Sequence, residues 1–471
     1  MLVPHLHIFE LSKRYYVIDI IHMLFFECDY ESYVTLKKMK IEKEFPLNLP
    51  FGVRNLFEFI NQGYFFSKNK YEMPSMSLHS DFCNISFPPV HRCNYACKYC
   101  FADTGEKYKE FIKDFSDDIL DDMLKFIYSD FSKDSHKIRY DFVSGGEPLL
   151  NFNFIKKFLC KRKKLDDIYN KTSSVFMATN GSLLTEDIVK FLDEHNVDIG
   201  ISIDGDPSIH NANRVWKDGS GTYTQTINGL TLVQNSTNSN KIKDIWGLTV
   251  LTKKHTSIVN ILAHLKSLKI KRCQIKFVRS IDKLVGFSLE DYNQLEAMYL
   301  ELFSLLKAMI KEGNIDTLLM ILNENDYFAK HLLTLILRKA KLFRCGAGKN
   351  KISICANGDI YPCDSFVGIS QFKIGNVNNG IDSNSYGYRI LSKITCLETH
   401  CGSCWAKIIC GGDCYYNSYI HSGEIVKPDP LVCKMNKFFI ENAVSLLCMI
   451  QQTDMKLLRR LSNFVNLKAT V

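Results

Sequence analysis

The apolar positions of this chain fall into three regimes. In the first, short apolar runs at residues 6–11, 15–20 and 23–27 lie a few residues apart, the spacing of strands joined by hairpins. Helical spacing follows at residues 31–39 and 54–62. Together they predict a small N-terminal β+α module, winged-helix-like in its order of elements.

In the second regime, brief β-rich runs alternate with longer amphipathic segments. Strands are expected at residues 84–87, 140–143, 174–178, 198–203, 245–251 and 273–278. In residues 117–131, Ile119, Met123, Phe126 and Ile127 share one helical face. Six such β/α repeats predict an α/β fold, a partial (β/α)6 TIM-type barrel around a parallel sheet. Functional groups then belong at the C-terminal ends of the strands. Residues 235–240 read as a polar surface loop. Residues 291–341 are mostly helical, with Leu295, Met298, Leu302, Leu305 and Leu306 as a packing face. The third regime is a cysteine-rich stretch. The expected division is 1–80, 81–285 (barrel), 286–344 (helical bridge), 345–440 (cysteine-rich domain) and 441–471 (C-terminal helix or tail).

Composition narrows the classes. The chain has 471 residues, 46% of them hydrophobic, enough for a sizeable core. Its charge of 59 − 51 = +8 is small for this length, and the N-terminal module has no dense basic stripe, so nucleic acid is not an expected partner. No uninterrupted apolar run reaches membrane-spanning length, and the N-terminus lacks a basic-then-apolar signal pattern. A cytoplasmic protein with no membrane partner is expected. Seventeen cysteines in such a chain point to metal ligation rather than disulfides.

Three of them, Cys93, Cys97 and Cys100, are spaced C-x3-C-x2-C just after the first barrel strand. Three thiolates on one short loop hold three irons of a 4Fe–4S cluster and leave the fourth open to a small molecule. A zinc or structural cluster site is the competing reading. Ser144-Gly145-Gly146-Glu147-Pro148 ends the second strand, where glycines admit a ligand and a carboxylate pairs with a cation. The third strand ends in Ala178-Thr179-Asn180-Gly181 and the fourth in Ser202-Ile203-Asp204-Gly205. His210-Asn211-Ala212-Asn213-Arg214 supplies a cation suited to a carboxylate.

These motifs resemble those of the radical S-adenosylmethionine (SAM) enzymes. The resemblance implies that the open iron chelates SAM. It further implies SAM contacts from Gly145, Gly146, Glu147, Asn180, Ser202 and Arg214. The competing reading for Arg214 is a surface salt bridge.

Further on, Cys345 precedes Gly358 and Cys363, followed by Cys401-x2-Cys404-x5-Cys410-x3-Cys414 and then Cys433. This layout resembles the SPASM extension of radical SAM enzymes, which carries two auxiliary clusters; a zinc ribbon is the competitor. The resemblance assigns Cys345, Cys363 and Cys414 to one auxiliary cluster and Cys401, Cys404, Cys410 and Cys433 to the other. The first then lacks a ligand, and either Cys355 or a substrate thiolate fills it. Three 4Fe–4S clusters and SAM are the expected cofactors. Cys28, Cys83, Cys160, Cys273, Cys396 and Cys448 read as small core residues. Asp364 follows Cys363; in similar enzymes a carboxylate there takes a proton from the substrate, and the competing reading is a turn aspartate.

Residues 361–368, 375–377, 404–407 and 100–105 resemble thioether-forming maturases of ribosomally made peptides, of the ranthipeptide or sactipeptide type. Residues 7–30 resemble the domain that binds a leader peptide by strand addition in such enzymes. The implied activity is thioether cross-linking of a cysteine-containing precursor peptide, with a flavodoxin- or ferredoxin-type electron donor. The alternatives are an anaerobic sulfatase-maturating enzyme, and a non-catalytic iron–sulfur carrier or sensor.

Overall fold

The computed structural model describes residues 6–42, 50, 52–54, 81–100, 114–236, 245–280 and 282–469. Most of the expected helix at 54–62, the stretch 101–105 and much of the 235–240 loop lie outside them.

The first three runs form strands β1 (Leu6–Leu11), β2 (Arg14–Asp19) and β3 (Leu24–Cys28), paired antiparallel in that order. Helix Tyr30–Glu42 closes one face through Tyr33, Leu36 and Met39. The small sheet also docks on the C-terminal helix Pro430–Thr453. Tyr16 shares a 3.0 Å hydrogen bond with Ser445, and His7 lies 2.8 Å from Glu441 while stacking on Trp405 at 3.5 Å. Burial lowers the His7 pKa, against the Glu441 carboxylate that raises it.

Six parallel strands follow: β4 (Phe82–Ser86), β5 (Lys137–Phe142), β6 (Thr172–Thr179), β7 (Val197–Ser202), β8 (Ile245–Leu251) and β9 (Arg272–Phe277). They neighbour one another in chain order, with helices between, as a partial barrel requires. The observed bounds differ from the expected ones by up to a few residues, and 245–251 coincides. The expected helix over 117–131 is regular only across Asp117–Phe126 and widens into a π turn at Ile127–Phe131, from which Ser132 returns its amide to Ile127 at 2.8 Å.

Strand β5 shows why the barrel can house chemistry. Ile138, Tyr140 and Phe142 point outward into the core, where Phe142 and Phe158 pack edge-on around Phe87. Arg139 and Asp141 alternate with them and face inward, where Asn84 donates to Asp141 at 2.6 Å. Parallel strands are usually apolar on both faces. The inner face of β5 is polar instead.

The sheet does not stop at the barrel edge. Strand β10 (Lys351–Ile354) pairs parallel to β4, placing Lys351 beside Asn84. Strands β11 (Asp359–Tyr361), β12 (Gly375–Asn376) and β13 (Gly380–Ile381) continue it antiparallel, giving ten strands in one sheet. The cysteine-rich region is thus hydrogen-bonded to the first barrel strand. Arg279, just past β9, ties the far side with a bidentate pair to Asp413 (2.6 and 2.9 Å) and a bond to Asp429. Among the described residues, no helix is long and apolar enough to cross a membrane.

Candidate cofactor and active site

The loop carrying Cys93, Cys97 and Cys100 is held from both sides. Gly146 donates its amide to Val90 O and Glu147 to Arg92 O, each at 2.9 Å. A Cβ on Gly146 would lie 1.6 Å from Arg92 O, so only glycine permits this approach. On the other side, Ala96 and Lys98 donate to Val215 and Asn213 at 2.8 and 2.9 Å. Tyr95 stacks edge-on against Trp216. The Cys93 thiol lies within electrostatic reach of Cys97, Cys100 and Glu147, and burial pushes it up to about 12.

Glu147 is buried and fully engaged. One carboxylate oxygen accepts from the Thr179 hydroxyl at 2.6 Å, the other from the Asn180 amide at 2.8 Å. Burial outweighs these bonds and raises its pKa to about 7. A cation brought here would restore the charge. The Asn180 side chain does not point freely into the cavity. It donates to Asn94 at 2.9 Å and accepts from Ser182, linking strand β6 to the cysteine loop.

Arg214 is no surface salt bridge. It is buried, pairs with the wholly buried Asp204 at 3.1 Å and lies over the Tyr99 ring. Tyr99 in turn donates to Asp204 at 2.8 Å. Asp204 and Tyr99 were visible in the motifs as a strand-end aspartate and the aromatic before Cys100, but sequence gave them no role. Ser202 ends β7 in register with Leu248 of β8, on the sheet face that carries Gln274.

Asp364 opens a short 3-10 turn that begins after Cys363. It pairs with Lys351 at 3.4 Å and lies beside Ser144, the residue that opens the Ser144-Gly145-Gly146-Glu147 turn. Ser144 holds a left-handed backbone (φ 63°), unusual for a residue with a side chain. Burial opposes the Asp364 charge, but Lys351 and Ser144 prevail and keep its carboxyl below the usual range. Lys276 of β9 faces the same pair and is lowered by burial and by Lys351. Neither lysine stood out in the sequence, because nothing local distinguishes an inward-facing lysine.

The C-terminal thiols form two groups. Cys363 feels Cys345 and Cys414; Cys433 feels Cys410, Cys401 and Cys404. Cys355 stands apart: it is buried, and the charges acting on it are Asp359 and Lys373. Cys396 lies close to Cys401 and Cys410, and its sulfur donates to the Lys341 carbonyl at 3.5 Å. Among the described residues, no three His, Cys, Asp or Glu side chains close on a point fit for a single ion.

Residues 87–257 match the sequence profile of the Radical SAM superfamily. A cysteine-type anaerobic sulfatase-maturating enzyme of Clostridium perfringens is 26% identical over 368 residues, 72% of this chain and 89% of the relative. A serine-type anaerobic sulfatase-maturating enzyme of Bacteroides thetaiotaomicron is 23% identical over 70% of this chain and 82% of the relative. Among solved structures, native anSMEcpe with bound AdoMet and Cp18Cys peptide superposes with a TM-score of 0.64 at 21% identity, over 79% of this chain and all of that one.

Proposed function

We propose that this chain, an enzyme whose residues 87–257 are a radical SAM domain, oxidises a cysteine residue within a polypeptide substrate. The observation that carries the reading is the placement of Asp364 beside Ser144, with Lys351 paired to its carboxylate at 3.4 Å. It brings the carboxylate of the cysteine-rich region to the turn that holds the Cys93–Cys97–Cys100 loop.

The donor sets suit the expected cofactors. Cys93, Cys97 and Cys100 share one loop, and Cys401, Cys404, Cys410 and Cys433 form a complete four-thiol set. Cys345, Cys363 and Cys414 form a set of three, with Cys355 directed elsewhere, and would hold a second C-terminal 4Fe–4S cluster with one iron free of protein. When bound, the loop cluster and SAM supply a 5′-deoxyadenosyl radical that removes hydrogen from the substrate, and the C-terminal clusters take up the remaining electron.

The chain's own residues do the rest. Glu147 offers its buried carboxylate to the SAM amino group, and the Gly145–Gly146 backbone leaves room for it. Arg214, oriented by Asp204, faces the SAM carboxylate, and Ser202 lines the same rim. Asn180 keeps Glu147 and the loop in register. Asp364 receives the substrate thiol proton; Lys351 and Ser144 keep it ionised beforehand. The polar inner face of the barrel holds the peptide out of bulk water.

Both cysteine-type and serine-type maturases resemble this chain, and they support the sulfatase-maturing alternative over thioether formation. The thioether reading keeps one observation in its favour. The chain has a separate three-stranded sheet in which β3 is an edge strand, and a leader could pair there.

Incubation of the reconstituted, reduced protein with SAM and a cysteine-containing sulfatase peptide tests both. Formation of 5′-deoxyadenosine with exchange of the peptide's sulfur for an aldehyde oxygen supports formylglycine formation. Loss of a hydrogen pair with sulfur retained, on a leader-bearing precursor only, supports the thioether. Absence of 5′-deoxyadenosine overturns both. Asp364→Asn is expected to keep 5′-deoxyadenosine formation and lose the peptide product.

A further inference from the structure

Helix Pro430–Thr453 carries Cys433 and, one turn on, Asn436. Residues three apart lie on the same helix face, so Asn436 also looks toward the cysteine group. Its side-chain amide nitrogen donates to the Cys410 sulfur at 3.2 Å. Its oxygen is 3.0 Å from His331 Nε2. With the amide nitrogen on the sulfur, its oxygen faces His331, and since an amide oxygen only accepts, His331 donates there from Nε2. Both residues are buried, His331 completely. A neutral donor aimed at a cysteine sulfur and held by a second buried residue is more than thiol packing requires.

A buried cation nearby has the same sign of effect. The charges acting on Arg344 are Cys414, Cys410, Cys345 and Asp413, so it lies between the two cysteine groups. Asp413 offsets part of its charge, and sulfur ligands carrying net negative charge offset more of it.

We propose that Asn436, oriented by His331, is a positioning residue that raises the reduction potential of the iron–sulfur centre held by Cys401, Cys404, Cys410 and Cys433. Reduction adds an electron whose charge spreads onto the sulfurs. A hydrogen bond to one sulfur stabilises the reduced form more than the oxidised form. Arg344 acts in the same direction. The inference rests on the reading that these cysteines bind clusters. Iron content and Mössbauer spectra of the unaltered protein test that reading separately: without three 4Fe–4S clusters it is the cluster reading that fails.

The experiment is a mediated redox titration of the reconstituted full-length protein, followed by EPR. Asn436→Leu keeps the volume and removes the donor. One of the three potentials is expected to fall, its reduction equilibrium weakened roughly tenfold by loss of one hydrogen bond, which is about 59 mV for a one-electron couple. The other two should hold. Asn436→Asp should lower the same potential further. His331→Phe should lower it less, because the amide remains but turns freely. Three unchanged potentials in Asn436→Leu overturn the proposal. Should that variant fail to load iron, His331→Phe with full iron decides alone: an unchanged set of potentials overturns the proposal, and a single lowered one supports it.

Discussion

Asp204 offers the sharpest test of how the site is built. Its carboxylate has no solvent exposure and takes three kinds of donor: the Arg214 guanidinium at 3.2 Å, the Tyr99 hydroxyl at 2.8 Å and the Val250 amide at 3.2 Å. Asp204→Asn keeps the shape but leaves the buried Arg214 cation without its anion. Breaking one side of a buried pair costs about 3–5 kcal/mol. At the lower end this accelerates subglobal opening roughly 150-fold. Val250 reports it directly, because its amide is bonded to the carboxylate that is changed. Hydrogen exchange followed by mass spectrometry over residues 245–251 of iron-matched samples gives the readout. Asp204→Asn combined with Arg214→Met removes both charges and should recover most of the loss, since an apolar replacement of a whole buried pair is often neutral. A change of less than roughly twofold in Asp204→Asn, with the double variant merely additive, would refute the claim that this pair anchors the loop.

Other expectations follow from the same geometry. Gly146→Ala places a methyl 1.6 Å from Arg92 O and should abolish SAM binding in equilibrium dialysis while circular dichroism stays unchanged. Arg279→Met strands Asp413 and Asp429 and should cost about 3–5 kcal/mol in urea unfolding, with the cysteine-rich region released from the barrel edge. Asp326 is buried, and burial raises its pKa from 3.8 to about 6 despite amide bonds from Ile275, Phe328 and Ala329. The fold therefore prefers the protonated acid. The stability this confers is present below about pH 4 and is lost as pH rises through about 6, about 3 kcal/mol in all. Urea midpoints across that window should fall with pH, and Asp326→Asn should flatten the slope.

Local sequence carried far in this chain. The C-x3-C-x2-C loop, the Gly-Gly-Glu turn and the β/α alternation need only a few neighbouring residues to be read, because thiolate spacing, glycine backbone freedom and apolar periodicity are local properties. The long helix Pro430–Thr453 instead starts ahead of the expected boundary at 441, with Asp429 capping it by accepting from Leu431 at 2.9 Å. Strands β10–β13 were not legible, since two- to four-residue strands lack a period and depend on a partner edge. Partners distant in sequence were equally hidden. Spacing alone would group Cys410 with Cys414, yet left-handed turns at Gly411 and Gly412 (φ 73° and 93°) intervene, and Cys414 lies within reach of Cys363. Ser144 and Asp364 come from different parts of the chain and meet only because β10 hydrogen-bonds to β4 and carries the next turn over the barrel mouth. The sequence by itself thus determined which ligand sets exist and what chemistry they suit. The tertiary structure alone decided which sets face one another, because that depends on sheet pairing and buried charge between segments that no local pattern connects.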